Sequence, residues 1–281
     1  MNQVLIRGWK FLLISAFVAL TGFATSQKPW ALYYSDRADP AEFHGYDLVV
    51  FDSDHHPSLN PVTASGSTVL GYLSLVEVEQ HRSWFDTAKV AGLLAGENPN
   101  WPGSYFVDIR DARWRQLIVR QIVPEILARG FKGFFLDTLD DAPELERRDP
   151  EKFRGMKDAA VQLVQDIRRT APAAILMVNR GYDLLPALTG SIDIVLGESV
   201  YGTYDFASKT YRPVPAAEYH RQVEMLNSLR VLKPSLRICT LDYWDPADRE
   251  GIRRVYREER SHGFNPYVAT IALDQLAREP R

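Results

Sequence analysis

The chain has 281 residues, 46% hydrophobic and 25% charged, a mixture that excludes a disordered tail or a fibrous repeat. Its 33 Lys and Arg against 36 Asp and Glu give a net charge of −3, which supplies no basic face for nucleic acid. The lone cysteine, Cys239, excludes an internal disulfide and sits in the apolar stretch "LRICTL", where it reads as a packing residue.

Residues 1–26 carry Arg7 and Lys10 ahead of the apolar run "FLLISAFVALTGFA" and then small residues, the layout of a secretory signal peptide. The apolar core falls short of the roughly 20 residues that a spanning helix needs. We therefore expect export, to a periplasmic or extracellular location, with no stable membrane span after cleavage. Residues 27–281 are expected to form one domain, because no Gly/Ser linker, low-complexity tract or tandem repeat divides them.

Eight short β-branched and aromatic runs follow in chain order: "ALYYS" (31–35), "DLVVF" (47–51), "TVLGYLSL" (68–75), "GFFLD" (133–137), "AILMVN" (174–179), "IDIVLGE" (192–198), "LRICTLDYW" (236–244) and "PYVATI" (266–271). Helical patterns alternate with them, and eight strands are what a closed parallel (β/α)8 TIM-like barrel needs. A ninth run, "SYFVDI" (104–109), is expected to be a short extra strand or loop edge. The segment 111–129 predicts a helix capped by Asp111, ended by Gly130 and kinked at Pro124. In 149–170, Asp149 is the expected cap, Pro150 fits the first turn, and Phe153, Met156, Ala160, Leu163, Val164 and Ile167 form one apolar face.

Several of these runs end in a polar or acidic residue: Asp36, Asp52, Glu77, Asp137, Asn179, Glu198 and Asp242. In a parallel barrel all the carboxyl ends meet on one face, so the pattern predicts one acidic, concave site. "GFFLDTLDD" (133–141) is its centre, because Asp137 directly terminates a run that should be buried and is crowded by Asp140 and Asp141. Crowded carboxylates raise one another's proton affinity, which suits one of them to act as a general acid. The plainer reading of Asp141 is a helix or turn cap. Glu198 ends its strand in the same way, and two carboxylates on one barrel mouth suit glycoside hydrolysis. Tyr34, Tyr72, Tyr201, Tyr243 and Trp244 are among the aromatics near these loops, where sugar rings can pack on them. The stretch "FDSDHHPS" (51–58) offers a competing metal-ligand set in Asp52, Asp54, His55 and His56, but adjacent histidines diverge on a strand and no second cluster follows. No metal is expected.

The stretches "ALYYS", "VLGYLSLVEVE", "WPGSYFVDIRDARWRQLI", "GFFLDTLDD" and "LGESVY" resemble glycoside hydrolase family 114, the endo-α-1,4-polygalactosaminidases, and the hydrolase domain of proteins that process the exopolysaccharide Pel. Val76 stands where that pattern has glycine before Glu77. The resemblance implies a cofactor-free, retaining endo-glycosidase acting on α-1,4-linked galactosamine and N-acetylgalactosamine polymers, with Glu198 as nucleophile and Asp137 as acid/base. It also implies that Asp36, Asp52, Glu77, Asp108, Asp140 and Tyr201 line the groove. A partly deacetylated chain of this kind is cationic, and an acidic cleft would attract it. Two other readings remain open on the sequence: a non-catalytic polysaccharide-binding barrel of an exopolysaccharide system, and a metal-dependent deacetylase using residues 52–56.

Overall fold

The computed structural model describes residues 28–281, so the expected signal peptide lies outside the described residues. Eight parallel strands form one sheet in sequential order: β1 (Trp30–Tyr33), β2 (Leu48–Phe51), β3 (Thr68–Ser74), β4 (Gly133–Asp137), β5 (Ile175–Asn179), β6 (Ile194–Glu198), β7 (Arg237–Tyr243) and β8 (Asn265–Ala269). All eight expected strands are present, and the fold is a TIM-like α/β barrel.

The alternation of side chains explains why each strand reads as a continuous apolar run. Leu32, Val50, Leu70, Phe135, Met177, Leu196, Leu241 and Tyr267 pack together inside the barrel. Their neighbours Val49, Val69, Phe134, Leu136, Val178, Val195 and Ile238 face the helices. Both faces are buried, as the period of two in a parallel barrel strand demands. The ring is closed between β8 and β1 by side chains. Trp30 Nε1 donates to the Asn265 carbonyl at 2.8 Å, Asn265 Nδ2 donates to the Lys28 carbonyl at 3.1 Å, and the rings of Trp30 and Tyr267 lie 5.5 Å apart.

The helix after residue 111 is capped as expected, with the Asp111 carboxylate accepting from Arg113 N. It runs as Ala112–Leu117, a wide π turn at Ile118–Ile122 and Val123–Ala128, so the interruption expected from Pro124 is spread over the turn before it. The helix expected from Asp149 starts later, at Met156–Thr170, behind Gly155 with φ +88°. Asp149 instead closes the preceding helix, Asp141–Arg148, and accepts from Lys152 N. The expected apolar face is nonetheless buried from Phe153 to Ile167.

Two excursions rise from the carboxyl end of the barrel. Between β3 and β4 lies a three-stranded antiparallel sheet of Glu77–Glu79, Ser104–Val107 and Leu94–Glu97, whose central member is the ninth run. After β6 comes a hairpin, Gly202–Asp205 paired with Thr210–Pro213. Among the described residues no helix is long and apolar enough to cross a membrane.

Candidate active site

A cleft of about 850 Å³ opens at the carboxyl end of the barrel. Its floor is the next layer of the barrel interior. Counting two residues on from the packed core gives Tyr34, Asp52, Tyr72, Asp137, Asn179, Glu198 and Tyr243, and all seven line the cleft. The expected residues Glu77 and Asp140 also line it, from the excursion after β3 and the loop after β4.

Asp137, Asn179 and Glu198 form the centre. Asn179 Nδ2 donates to Asp137 Oδ1 at 2.9 Å and to Glu198 Oε2 at 2.7 Å, which limits the separation of those two oxygens to about 5.6 Å. Tyr243 Oη donates to the other oxygen of Glu198 at 2.5 Å. Glu198 thus has a donor on each oxygen, which fixes the orientation of its carboxyl group. Burial, and then the charge of Glu198, push the Asp137 carboxyl up to about 7. A carboxyl with raised proton affinity, Asp137, thus faces Glu198, a carboxyl group held at both oxygens.

The backbone is unusual beside each of these residues. Thr138, Arg180 and Ser199, which directly follow Asp137, Asn179 and Glu198, have φ of 64°, 49° and 54°. Left-handed geometry is uncommon outside glycine and rarest for a β-branched residue such as threonine, and it costs about 1–3 kcal/mol per position. Tertiary contacts hold it in place: Thr138 Oγ1 accepts from Val76 N at 3.0 Å, Arg180 N donates to the Leu196 carbonyl at 2.9 Å, and Ser199 N to the Leu241 carbonyl at 2.8 Å. The turns aim the preceding side chains inward while the chain leaves the barrel.

Around the centre, Glu77 is held by Asn98 Nδ2 at 2.5 Å and by Ser104 Oγ, and it hydrogen-bonds to Asp141. Burial and the charge of Glu77 push Asp141 up to about 9, so this carboxyl pair carries a proton. Asp141 therefore does not act as the helix cap its position suggested. Asp140 faces Arg180 at 3.5 Å. Asp52 is engaged by Arg82 Nη2 at 2.7 Å, and Asp54 by Arg82 at 2.9 Å and Arg129 at 2.5 Å. Asp52 and Asp54 are committed to guanidinium groups, and among the described residues no group of three or more His, Cys, Asp or Glu side chains is placed to hold a metal ion.

Five expected site residues lie away from the cleft. Asp36 is exposed beyond β1. Asp108 is locked to Arg110 at 2.6 Å. Tyr201 packs on Tyr219 and Trp244, while Trp244 Nε1 donates to Asp248 at 3.0 Å. Asp242 and Trp244 are out of phase with the barrel interior and point to the helix layer. There Asp242 accepts from Tyr201 N at 2.7 Å and Gly202 N at 2.8 Å, fixing the loop that follows Glu198. Conversely, the sequence reading placed Tyr243 only among the aromatics near the loops, although its phase with Leu241 aims it at the site. Arg82, Asn98, Ser104 and Arg180 carry no comparable signal.

Below the cleft, burial pushes Asp242 up to about 7 and the fully buried Glu259 up to about 9. The folded chain keeps protons that these groups lose near pH 4 when unfolded, so stability should fall as pH rises from about 4 towards 9. Glu259→Gln should flatten the alkaline part of that fall and stabilise the protein at pH 8, read as thermal midpoint against pH. An unchanged profile would remove Glu259 from the account.

The model of glycoside-hydrolase family GH114 matches residues 18–281. The solved glycoside hydrolase domain of PelA from Pseudomonas aeruginosa is 30% identical with a TM-score of 0.78, over 89% of this chain and 98% of that one. Aspergillus fumigatus Ega3, solved in complex with galactosamine, shares the fold at 13% identity and a TM-score of 0.65, over 89% of this chain and 94% of that one. An uncharacterized protein of Deinococcus radiodurans is 26% identical over 257 residues, 87% of this chain and 79% of its own length.

Proposed function

The chain belongs to glycoside-hydrolase family GH114, and from that premise we propose that it is an exported, retaining endo-glycosidase of α-1,4-linked galactosamine and N-acetylgalactosamine polymers, with Asp137 and Glu198 as its catalytic pair. The single observation that carries the proposal is the Asn179 amide shared between the two carboxyl groups. Its limit of about 5.6 Å between Asp137 Oδ1 and Glu198 Oε2 leaves room for the roughly 5–5.5 Å spacing of retaining enzymes and favours it over the about 6.5–9.5 Å of inverting pairs. Glu198, held by Tyr243 and Asn179, attacks the anomeric carbon as the glycosidic C–O bond breaks. Asp137 gives its proton to the departing oxygen. In the second step Asp137 takes a proton from water, the water attacks the anomeric carbon, and Glu198 is released.

The choice of substrate rests on charge. Eight carboxyl residues line the cleft against three arginines, a field that gathers a polymer bearing ammonium groups. Ega3 with its galactosamine points to the same sugar. Tyr34, Tyr72, Asp52, Glu77 and Asp140 would contact the rings beside the cleaved bond, and residues 1–26 would direct export.

The test is reducing-end release from partly deacetylated α-1,4-galactosaminogalactan by residues 27–281, with the first-formed anomer read by NMR. We expect release with the α-anomer first. A β-anomer would refute retention, and no release would refute the activity. The rate should fall as pH rises through about 7, where Asp137 loses the proton it must donate. A rate unchanged to pH 9 would exclude Asp137 as the acid.

A further inference from the structure

Trp101 and Phe206 are 54% and 60% exposed, yet they touch each other, with ring centroids 5.6 Å apart and planes at 89°. They come from two separate excursions. Trp101 lies in the loop between Leu94–Glu97 and Ser104–Val107, on the excursion after β3, and Phe206 lies at the tip of the hairpin after β6. Both line the cleft. Asp137 and Asn179 end the two strands that lie between β3 and β6, so the contact joins the two excursions that flank these strands, at the exposed rim of the cleft.

Neither tip is loose. Around Trp101, Asn98 Oδ1 accepts from Asn100 N at 2.9 Å, Glu97 accepts from Gly103 N at 2.8 Å, and Asn98 also holds Glu77. Around Phe206, Asp205 accepts from the amides of Ala207 and Ser208, both at 3.0 Å, and from Arg212 Nε at 3.2 Å. The ring of Tyr204 supports Phe206 from 5.2 Å. Two largely exposed rings bury little surface against each other, so their contact contributes little to folding. Rings held on ordered tips at the rim of a cleft are instead arranged to bind, because little freedom remains to be lost.

We propose that Trp101 and Phe206 form an aromatic bridge at the rim of the cleft that packs on the apolar face of a sugar ring remote from the cleaved bond, and so keeps the polymer in the cleft between successive cuts. This rests on the glycosidase reading for the nature of the occupant. The bridge acts on a long chain and not on the shortest oligosaccharide that spans the catalytic pair.

The experiment compares the parent chain with Trp101→Ala and Phe206→Ala on the long polymer and on the shortest cleaved oligosaccharide. Each variant should raise KM for the polymer about tenfold, the size of one lost stacking contact. Each should also lower the ratio of soluble oligosaccharide to new reducing ends on insoluble polymer. Activity on the short substrate should be unchanged, and Trp101→Phe should restore most of the loss. An equal loss on both substrates, or none on either, would overturn the bridge. Binding of a long galactosamine oligosaccharide to the parent and to Trp101→Ala, read by calorimetry, tests the bridge independently of turnover. Equal affinities overturn it even where the parent is active, and a tenfold weaker variant supports it even where the parent cuts nothing.

Discussion

Replacing Glu198 by glutamine is expected to lower kcat on the galactosamine polymer by at least about a thousandfold while leaving the fold and polymer binding intact, and Asp137→Asn should do the same. Glutamine keeps the size of the side chain but cannot form the ester with the anomeric carbon. It also places an NH2 group where Glu198 accepts from Asn179 or Tyr243, so one of those donors loses its acceptor. Asparagine at 137 keeps the contact with Asn179 Nδ2 through its carbonyl but holds no proton for the departing oxygen. The two roles separate with azide as an added nucleophile. Glu198→Ala with azide should yield the β-glycosyl azide, since azide enters from the side the carboxylate vacated, and Asp137→Ala should yield the α-azide. The reverse pattern would exchange the roles within the pair, and full activity in Glu198→Gln would eliminate the pair altogether.

The second large effect concerns folding. Arg82→Met should destabilise the protein by about 3–5 kcal/mol, measured as a lower denaturation midpoint with an unchanged slope. Arg82 is 5% exposed and donates to Asp52, Asp54 and Glu79 at 2.7–3.3 Å, beneath the ring of Tyr72 at 5.2 Å. Burial alone would raise the Asp52 and Asp54 carboxyls. Arg82, joined at Asp54 by Arg129, more than reverses this and holds both below the usual carboxylate range. Removing the guanidinium therefore leaves Asp52 and Glu79 in a poorly solvated place without their counter-charge, and Asp54 with Arg129 alone. Adding Asp52→Asn and Asp54→Asn to the methionine variant should recover part of the loss, since fewer stranded charges remain. A change below about 1 kcal/mol in the single variant would show that water reaches this cluster freely.

Much of the barrel was legible because its physics is local. Each strand is short, apolar on both faces and followed by a polar end, so the eight strands and the pairing of Asp137 with Glu198 on one mouth could be read from composition and spacing. What misled was phase. Asp242 and Asp137 both close an apolar run, but Asp137 follows Phe135 on the inner face, whereas Asp242 follows Thr240 on the outer face. Reading the period of two through "LRICTLDYW" selects Tyr243 and rejects Asp242 and Trp244. The helix expected from Asp149 failed for a different reason. Asp-Pro is a fair opening for a helix, but 149–153 forms a turn of its own, and the chain reverses at Gly155 before the helix starts. The surroundings of Glu77 and the meeting of Trp101 with Phe206 join segments about 20 and 100 residues apart through short antiparallel pieces. No periodicity in the sequence records such contacts.

The three left-handed residues after Asp137, Asn179 and Glu198 separate the part of this protein that can vary from the part that cannot. Since each turn is fixed by bonds to neighbouring strands, the aim of the polar side chain is set before the loop begins. Loop sequences beyond Thr138, Arg180 and Ser199 can then lengthen, shorten or be exchanged, and with them the preferred polymer, while the reacting groups keep their spacing. The barrel mouth is in this sense a socket with a fixed set of contacts, and a library built for new specificity should begin its diversity beyond the buried Leu139, the left-handed Gly181 and the Val200–Gly202 segment pinned by Asp242.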